Sequence, residues 1–304
     1  MEFPKDMFER IPNKDKANIE VVRPSLTYWQ DVWMRIRKNK LAMLGLIVVI
    51  LVTLLAIFGP MFSKYDYHTQ NFAIANQGPS AAHWFGTDKF GRDSFVRVLY
   101  GARISLTVGY VASILSILIG VVYGGIAGYF GGKVDNIMMR IVEAIYAIPI
   151  TIYVILFMVV LGTGLKSIII ALAVAFWITM ARIVRGQVMS LKQQEFVLAA
   201  KTLGASPMRI LLKHLIPNCM GPIIVTLTLS VPDAIFQEAF LSFIGLGVPA
   251  PMASWGTLAS DALEGYQLYP FQLFFPAMAI CITMLAFNLL GDGLRDALDP
   301  KMRK

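Results

Sequence analysis

The chain has 304 residues, 57% of them hydrophobic and only 15% charged, with a formal net charge of +8. A water-soluble domain of this length lacks the polar surface to cover that much apolar content, so the composition excludes a soluble globular protein and directs attention to membrane spans. The basic residues crowd the ends of apolar runs, which ties the positive charge to membrane topology and removes nucleic acid as a partner.

Residues 1–24 are charged and interrupted by Pro4, Pro12 and Pro24, as expected of a mobile tail. No cleavable signal peptide opens the chain, so the first apolar run is expected to act as its own insertion signal. Trp29, Val32, Trp33 and Ile36 follow at i, i+3, i+4 and i+7 beside Arg35, Arg37 and Lys38, the pattern of a helix lying along the inner leaflet as a topological anchor. A lipid contact is expected there. Six apolar runs are then read as spans: Leu41–Phe58, Ile104–Phe130, Ala144–Leu165, Ser167–Ala181 extended toward Met189 by snorkelling arginines, Cys219–Val248 and Gly265–Gly291. The fold class is an all-α membrane protein. Its expected divisions are a cytoplasmic tail and interfacial helix (1–40), a first span with an extracytoplasmic loop (41–103), a transport core (104–292) and a second cytoplasmic tail (293–304).

Six spans place both termini on one side. Of the 27 Lys and Arg residues, 21 fall on that side, leaving Lys64, Lys89, Arg92, Arg97, Arg103 and Lys166 opposite, so both termini are read as cytoplasmic. In the outer loop, Asp88/Arg92 and Asp93/Arg97 are spaced as i, i+4 pairs and read as a short amphipathic helix capping the bundle. Gly120, Gly124 and Gly128 form two overlapping GxxxG patterns, read as close packing within the chain in preference to a subunit seam. Cys219 and Cys281 lie in apolar stretches and read as buried small hydrophobes.

Two carboxylates interrupt the fifth run. Asp233 and Glu238, five residues apart, point in different directions on a helix, and Pro232 is expected to kink or break it. Both are candidates for the translocation path, where Glu238 would meet a cationic amino group of substrate. The competing reading is a buried interhelical hydrogen bond, equally weighted for Glu238 and favoured for Asp233. Between the fourth and fifth runs, residues 193–217 read as two short helices. The first, from about Gln193 to Leu203 and including Glu195, Ala199 and Ala200, stops at Gly204, a left-handed C′ residue. After Ala205, Ser206 caps a second helix with Pro207 at its first position. In it Met208, Leu211, Leu212 and Leu215 form one apolar stripe with Arg209 and Lys213 facing elsewhere, and Pro217 ends it. A helix–turn–helix also suits DNA, but one tethered between two spans is placed to receive a partner protein.

This loop carries a family resemblance. Ala199-Ala200-x3-Gly204 followed by Pro217 resembles the coupling motif Glu-Ala-Ala-x3-Gly-x9-Ile-x-Leu-Pro of binding-protein-dependent ABC importer permeases. The chain departs from it with Leu198 at the Glu, His214 at the Ile and Ile216 at the Leu. The segments His83–Asp93, Glu238–Gly247, Ser254-Trp-Gly256 and Phe287–Pro300 resemble the C-type permease subunits of oligopeptide and dipeptide importers. The resemblance implies a type I importer transmembrane domain that pairs with a similar B-type permease, two cytoplasmic ATPases and an extracytoplasmic peptide-binding protein. It implies a peptide substrate, with nickel, glutathione or another small solute as the alternative. ATP and magnesium are expected on the ATPase chains, because Gly162-Thr-Gly-Leu-Lys-Ser167 lacks phosphate-loop spacing, and this chain is expected to bind no cofactor or metal and to be no enzyme. An ion-driven secondary transporter would require inverted repeats with paired broken spans, and only the fifth run is a candidate. An intramembrane hydrolase is disfavoured because His68, His83 and His214 all fall in loops.

Overall fold

In a computed structural model, residues 27–299 are described; the tail expected over 1–24 and residues 300–304 lie outside them. Among the described residues no β-strand occurs, only an isolated bridge between Thr87 and Asp93. Five helices are long and apolar enough to cross a membrane, and a bent helix pair makes a sixth if taken as one span.

Helix α1 (Tyr28–Lys38) opens on a capping box between Thr27 and Gln30 and carries an Asp31–Arg35 pair at 3.2 Å. Its Val32 and Ile36 are buried against Ala42, Val225, Ala297 and Leu298, whereas Trp29 and Trp33 stand exposed. The stripe read from the sequence therefore divides, with the aliphatic residues docking the helix and the indoles facing out. Asn39 ends α1 and caps α2 (Lys40–Phe58), accepting the N–H groups of Leu41 and Ala42 at 3.1 Å. Only small residues of α2 are buried, Ala42, Gly45 and Ala56, and they set it against α11 (Pro270–Leu298) with its large aliphatics turned outward.

The loop after α2 is tied by side chains. Asp88 accepts the N–H groups of Phe90 and Arg92 at 2.9 and 3.0 Å and the Arg92 guanidinium at 2.6 Å. Asp93 does not pair with Arg97, and no separate surface helix forms; the pair lies at the start of a long helix that begins at Ser94. Instead Asp93 caps that helix through Val96 N–H at 2.9 Å and meets His83 Nδ1 at 2.8 Å, leaving Arg97 to lean on Asp88 at 3.5 Å. The N-cap site captures the carboxylate before the i, i+4 geometry can use it.

Helix α3 runs from Ser94 to Phe130, 37 residues and so about 55 Å, well beyond a hydrocarbon core. It begins ten residues before the expected span because Arg103 is accommodated inside it, donating to the Ala56 and Ile57 carbonyls at the end of α2 at 3.2 and 2.7 Å. The glycine seam of α3 faces α6 (Leu165–Leu191). A Cβ at Gly120 would sit 2.6 Å from Met180 Cβ and one at Gly128 2.8 Å from the Arg185 carbonyl oxygen, so these backbones touch only because side chains are missing. The third expected span is not one straight helix. The chain forms α4 (Gly132–Tyr146) and α5 (Ile150–Leu161), bent by 85° across Ala147–Pro149, and α5 has only 12 residues. Pro149 cannot continue the first helix, and the amphipathic α4 is pinned to α6 by a bidentate Asp135–Arg185 pair, one arm at 2.5 Å.

Helix α9 (Met220–Phe243) passes through Pro232 unbroken, against expectation. Residues 265–269, read as the start of the last span, are not helical; α11 starts at Pro270 and continues to Leu298, beyond the boundary placed at 292. Cys219 is buried as expected, but Cys281 lies exposed on α11.

Candidate functional site

At the end of the bundle where α3 and α6 terminate, the chain builds a two-helix platform. Helix α7 (Glu195–Thr202) closes in a Schellman motif: Gly204 N–H reaches the Lys201 carbonyl at 2.9 Å and Ala205 N–H the Ala200 carbonyl at 3.0 Å. Gly204 has φ 76°, the left-handed geometry that motif requires. Ser206 Oγ then accepts Arg209 N–H at 3.4 Å, and Pro207 is the first residue of α8 (Pro207–Ile210). The apolar stripe differs from the sequence reading. Val197, Ala200, Ile210, Leu211 and Leu215 are buried against Tyr129, Val184, Val188 and Cys219, while Met208 and Leu212 stand exposed. Pro217 does not end the helical path. A π turn over Leu211–Leu215 leads into Ile216–Asn218, and Cys219 N–H still reaches the Leu215 carbonyl at 3.0 Å.

The platform is thus anchored from below and open above. Glu195, Ala199, Ser206, Pro207 and Arg209 are exposed, and Leu203 at the turn is 88% exposed with Leu198 at 52%. Large apolar side chains thus stand free on a buttressed helix pair.

The two carboxylates of α9 part company. Glu238 is wholly buried and accepts hydroxyl hydrogen bonds from Ser105 of α3 at 3.0 Å, from Ser242 at 2.8 Å and from Ser254 at 2.6 Å. Ser254 is also the N-cap of α10 (Trp255–Ala262), and Ser105 Oγ accepts Trp255 N–H at 3.1 Å. The carboxyl therefore joins three helices and faces no open space. Neither partner serine beyond its own helix was legible, since Ser105 and Ser254 lie 133 and 16 residues away in sequence. Asp233 is the exposed one. It lines a cavity of ≈ 280 Å³ between α6, α9 and α11, together with Arg295. That cavity shares Ile183, Val225, Thr226 and Arg295 with a wider one of ≈ 780 Å³ that opens at the platform end, so the two form a continuous groove. Among the described residues no group of three or more His, Cys, Asp or Glu side chains is arranged to hold a metal ion.

Residues 120–304 match the family described as binding-protein-dependent transport system inner membrane component, and residues 27–79 match the N-terminal transmembrane domain of oligopeptide transport permease C. The chain is 58% identical over 302 residues to the oligopeptide transport system permease protein OppC of Bacillus subtilis, covering 99% of both, and 53% identical to the dipeptide transport system permease protein DppC of the same organism, covering 100% of this chain and 95% of that one. It is 43% identical to the glutathione transport system permease protein GsiD of Escherichia coli over 91% of this chain and 92% of that one. In fold it is similar to a chain of the MetNI methionine ABC transporter in an inward-facing crystal form, with a TM-score of 0.56 at 20% identity over 67% of this chain and 97% of that one. With its spanning helices, its α6–α7–α8–α9 order and these relationships, the chain is a multi-pass membrane protein that belongs to the family of binding-protein-dependent transport system inner membrane components.

Proposed function

We propose that this chain is one permease subunit of an ATP-driven importer that carries oligopeptides or dipeptides across the cell membrane. The observation that carries the reading is the platform α7–Gly204–α8, a buttressed surface with Leu203 and Leu198 uncovered, in a chain related over its full length to oligopeptide and dipeptide permeases. Its partners are a similar B-type permease, two ATPases seated on the platform and a peptide-binding protein on the opposite side. ATP and magnesium belong to the ATPases, and this chain acts without a cofactor of its own. The platform end is cytoplasmic, as are both termini, because most of the Lys and Arg residues gather there. The transport core within 104–292 works by alternating access: ATP closes the ATPases, the platform helices move as levers, and the permease pair exposes its groove first outward and then inward. The glutathione relative fits the same substrate class, since glutathione is a tripeptide derivative.

The docking half of the reading is tested by cross-linking. With a cysteine at Leu203 in the assembled transporter, a short bismaleimide is expected to join this chain to an ATPase, with a yield that changes on adding ATP. A cysteine at Leu203 that reaches no ATPase, while one at Phe62 on the opposite loop does, overturns it.

A further inference from the structure

The groove beside α9 holds two charged side chains that nothing in the fold employs. Asp233 and Arg295 both line it, and among the described residues neither side chain has a hydrogen-bond or ion-pair partner. An ionised side chain inside a span is disfavoured unless it faces a water-filled path or a charged ligand, so Asp233 mid-span, with Arg295 further along the same groove near the helix end and no bond joining the two, calls for a role. Asp299 lies at the wider mouth, further toward the platform.

The spacing of the pair follows from helix register. Gly221 of α9 lies against Leu298 of α11, and Gly291 of α11 lies against Thr228 and Leu229 of α9, so the helices run antiparallel. Arg295 stands one turn from Gly291 toward the platform, and Asp233 one turn from Leu229 away from it. At about 1.5 Å per residue the two backbone positions are about 12 Å apart along the bundle. The hydroxyls between them are committed as donors to their own helices: Thr226 to the Pro222 carbonyl at 2.8 Å and Ser230 to the Leu227 carbonyl at 2.8 Å. They present acceptor lone pairs to the groove, which suits amide N–H groups.

Resting on the peptide-importer reading, we infer that Asp233 and Arg295 are a substrate subsite for a zwitterionic peptide, the carboxylate receiving the α-ammonium and the guanidinium the α-carboxylate. An extended chain rises about 3.3–3.6 Å per residue, so a tri- or tetrapeptide spans the pair end to end. Longer peptides engage one terminus at a time, which makes the subsite a relay of end contacts along the groove.

The test is equilibrium binding to the complete transporter in nanodiscs, nucleotide-free and without the binding protein, so that peptide reaches the groove directly. The probes are radiolabelled tri-alanine, its N-acetyl form and its C-terminal amide. Wild type is expected to bind tri-alanine at least tenfold more tightly than either blocked form. Asp233→Asn is expected to bring tri-alanine and its amide down about tenfold while leaving the N-acetyl form unchanged. Arg295→Gln is expected to lower tri-alanine and the N-acetyl form and to spare the amide. Loss confined to one terminus cannot come from misfolding. Equal affinity of wild type for all three probes, no detectable binding, or an equal loss of all three in both variants overturns the subsite. The importer reading is judged separately, by whether peptide-loaded binding protein stimulates ATP hydrolysis in the same preparation.

Discussion

Replacing Glu238 with alanine separates the two roles a carboxyl in this span could have. The side chain is fully buried and accepts from Ser105, Ser242 and Ser254 at 3.0, 2.8 and 2.6 Å. Each such bond contributes about 1 kcal/mol net, hence about 3 kcal/mol together, and the vacated volume in a packed site adds about 1 kcal/mol. Two of the donors have fallbacks, because Ser254 Oγ lies 3.3 Å from Thr257 Oγ1 and Ser242 can donate within its own helix. Ser105 keeps accepting Trp255 N–H, while its own proton loses its acceptor on α9 and is left with a carbonyl of its own helix. The expected total is about 4 kcal/mol, and Glu238→Gln, which keeps the shape and one acceptor, is expected to cost about 1–2 kcal/mol. The assay is thermal unfolding of the assembled transporter in nanodiscs, where alanine is expected to lower Tm by on the order of 10 °C and glutamine by a few degrees. A double-mutant cycle with Ser105→Ala is expected to show coupling of about 1 kcal/mol. An unchanged Tm in Glu238→Ala, accompanied by a loss of transport selective for peptides with a free amine, refutes the structural role and restores this residue to the translocation path.

Other consequences follow from the platform and the helix seam. Gly204→Val places a β-branched residue at φ 76°, at about 1–3 kcal/mol of local strain, and nothing lies within 4 Å of the added Cβ. The variant is expected to insert normally while ATP hydrolysis proceeds without proportional uptake, measured as the ratio of phosphate released to peptide accumulated. Leu203→Glu, at a site already 88% exposed, is expected to leave Tm within about 1 °C and to reduce co-purification of the ATPases at least tenfold. Gly124→Val drives a side chain into the Ala181 carbonyl and is expected to abolish accumulation of folded protein, seen as loss of the monodisperse chromatographic peak, whereas Gly186→Ala, on α6 with open space around it, is expected to retain that peak.

What could be read from the residues alone was local and periodic. The Schellman stop at Gly204, the Ser206-Pro207 start and the glycine seam at Gly120, Gly124 and Gly128 are short-range devices whose geometry the residue types nearly dictate. The bend at Ala147–Pro149 was not legible because hydropathy runs on through it, and α4 is held against α6 by contacts distant in sequence: the Asp135–Arg185 clamp, joining residues 50 apart, and Val142 packed on Trp177, Ile178 and Ala181. Asp93 was assigned to Arg97 by spacing, yet an N-cap and His83 compete for the same carboxylate and win it. The fates of Glu238 and Asp233 turn on two serines, Ser105 and Ser254, and an arginine brought in from outside α9, and no window along α9 contains them all. Arg295 in particular gave no signal, since a lone arginine near the end of a span reads as a topological residue.

The central claim is that the chain forms half of an ATP-driven peptide path. It is tested most directly by uptake into vesicles holding the complete transporter, with the binding protein supplied outside and ATP inside. A panel of di- to decapeptides, with glutathione and nickel ions alongside, is followed with and without ATP and with and without an ion gradient. Peptides are expected to accumulate only where both ATP and the binding protein are present, with or without the gradient. Peptide uptake that survives ATP depletion and collapses with the gradient, or ATP-dependent uptake of nickel with none of any peptide, contradicts it.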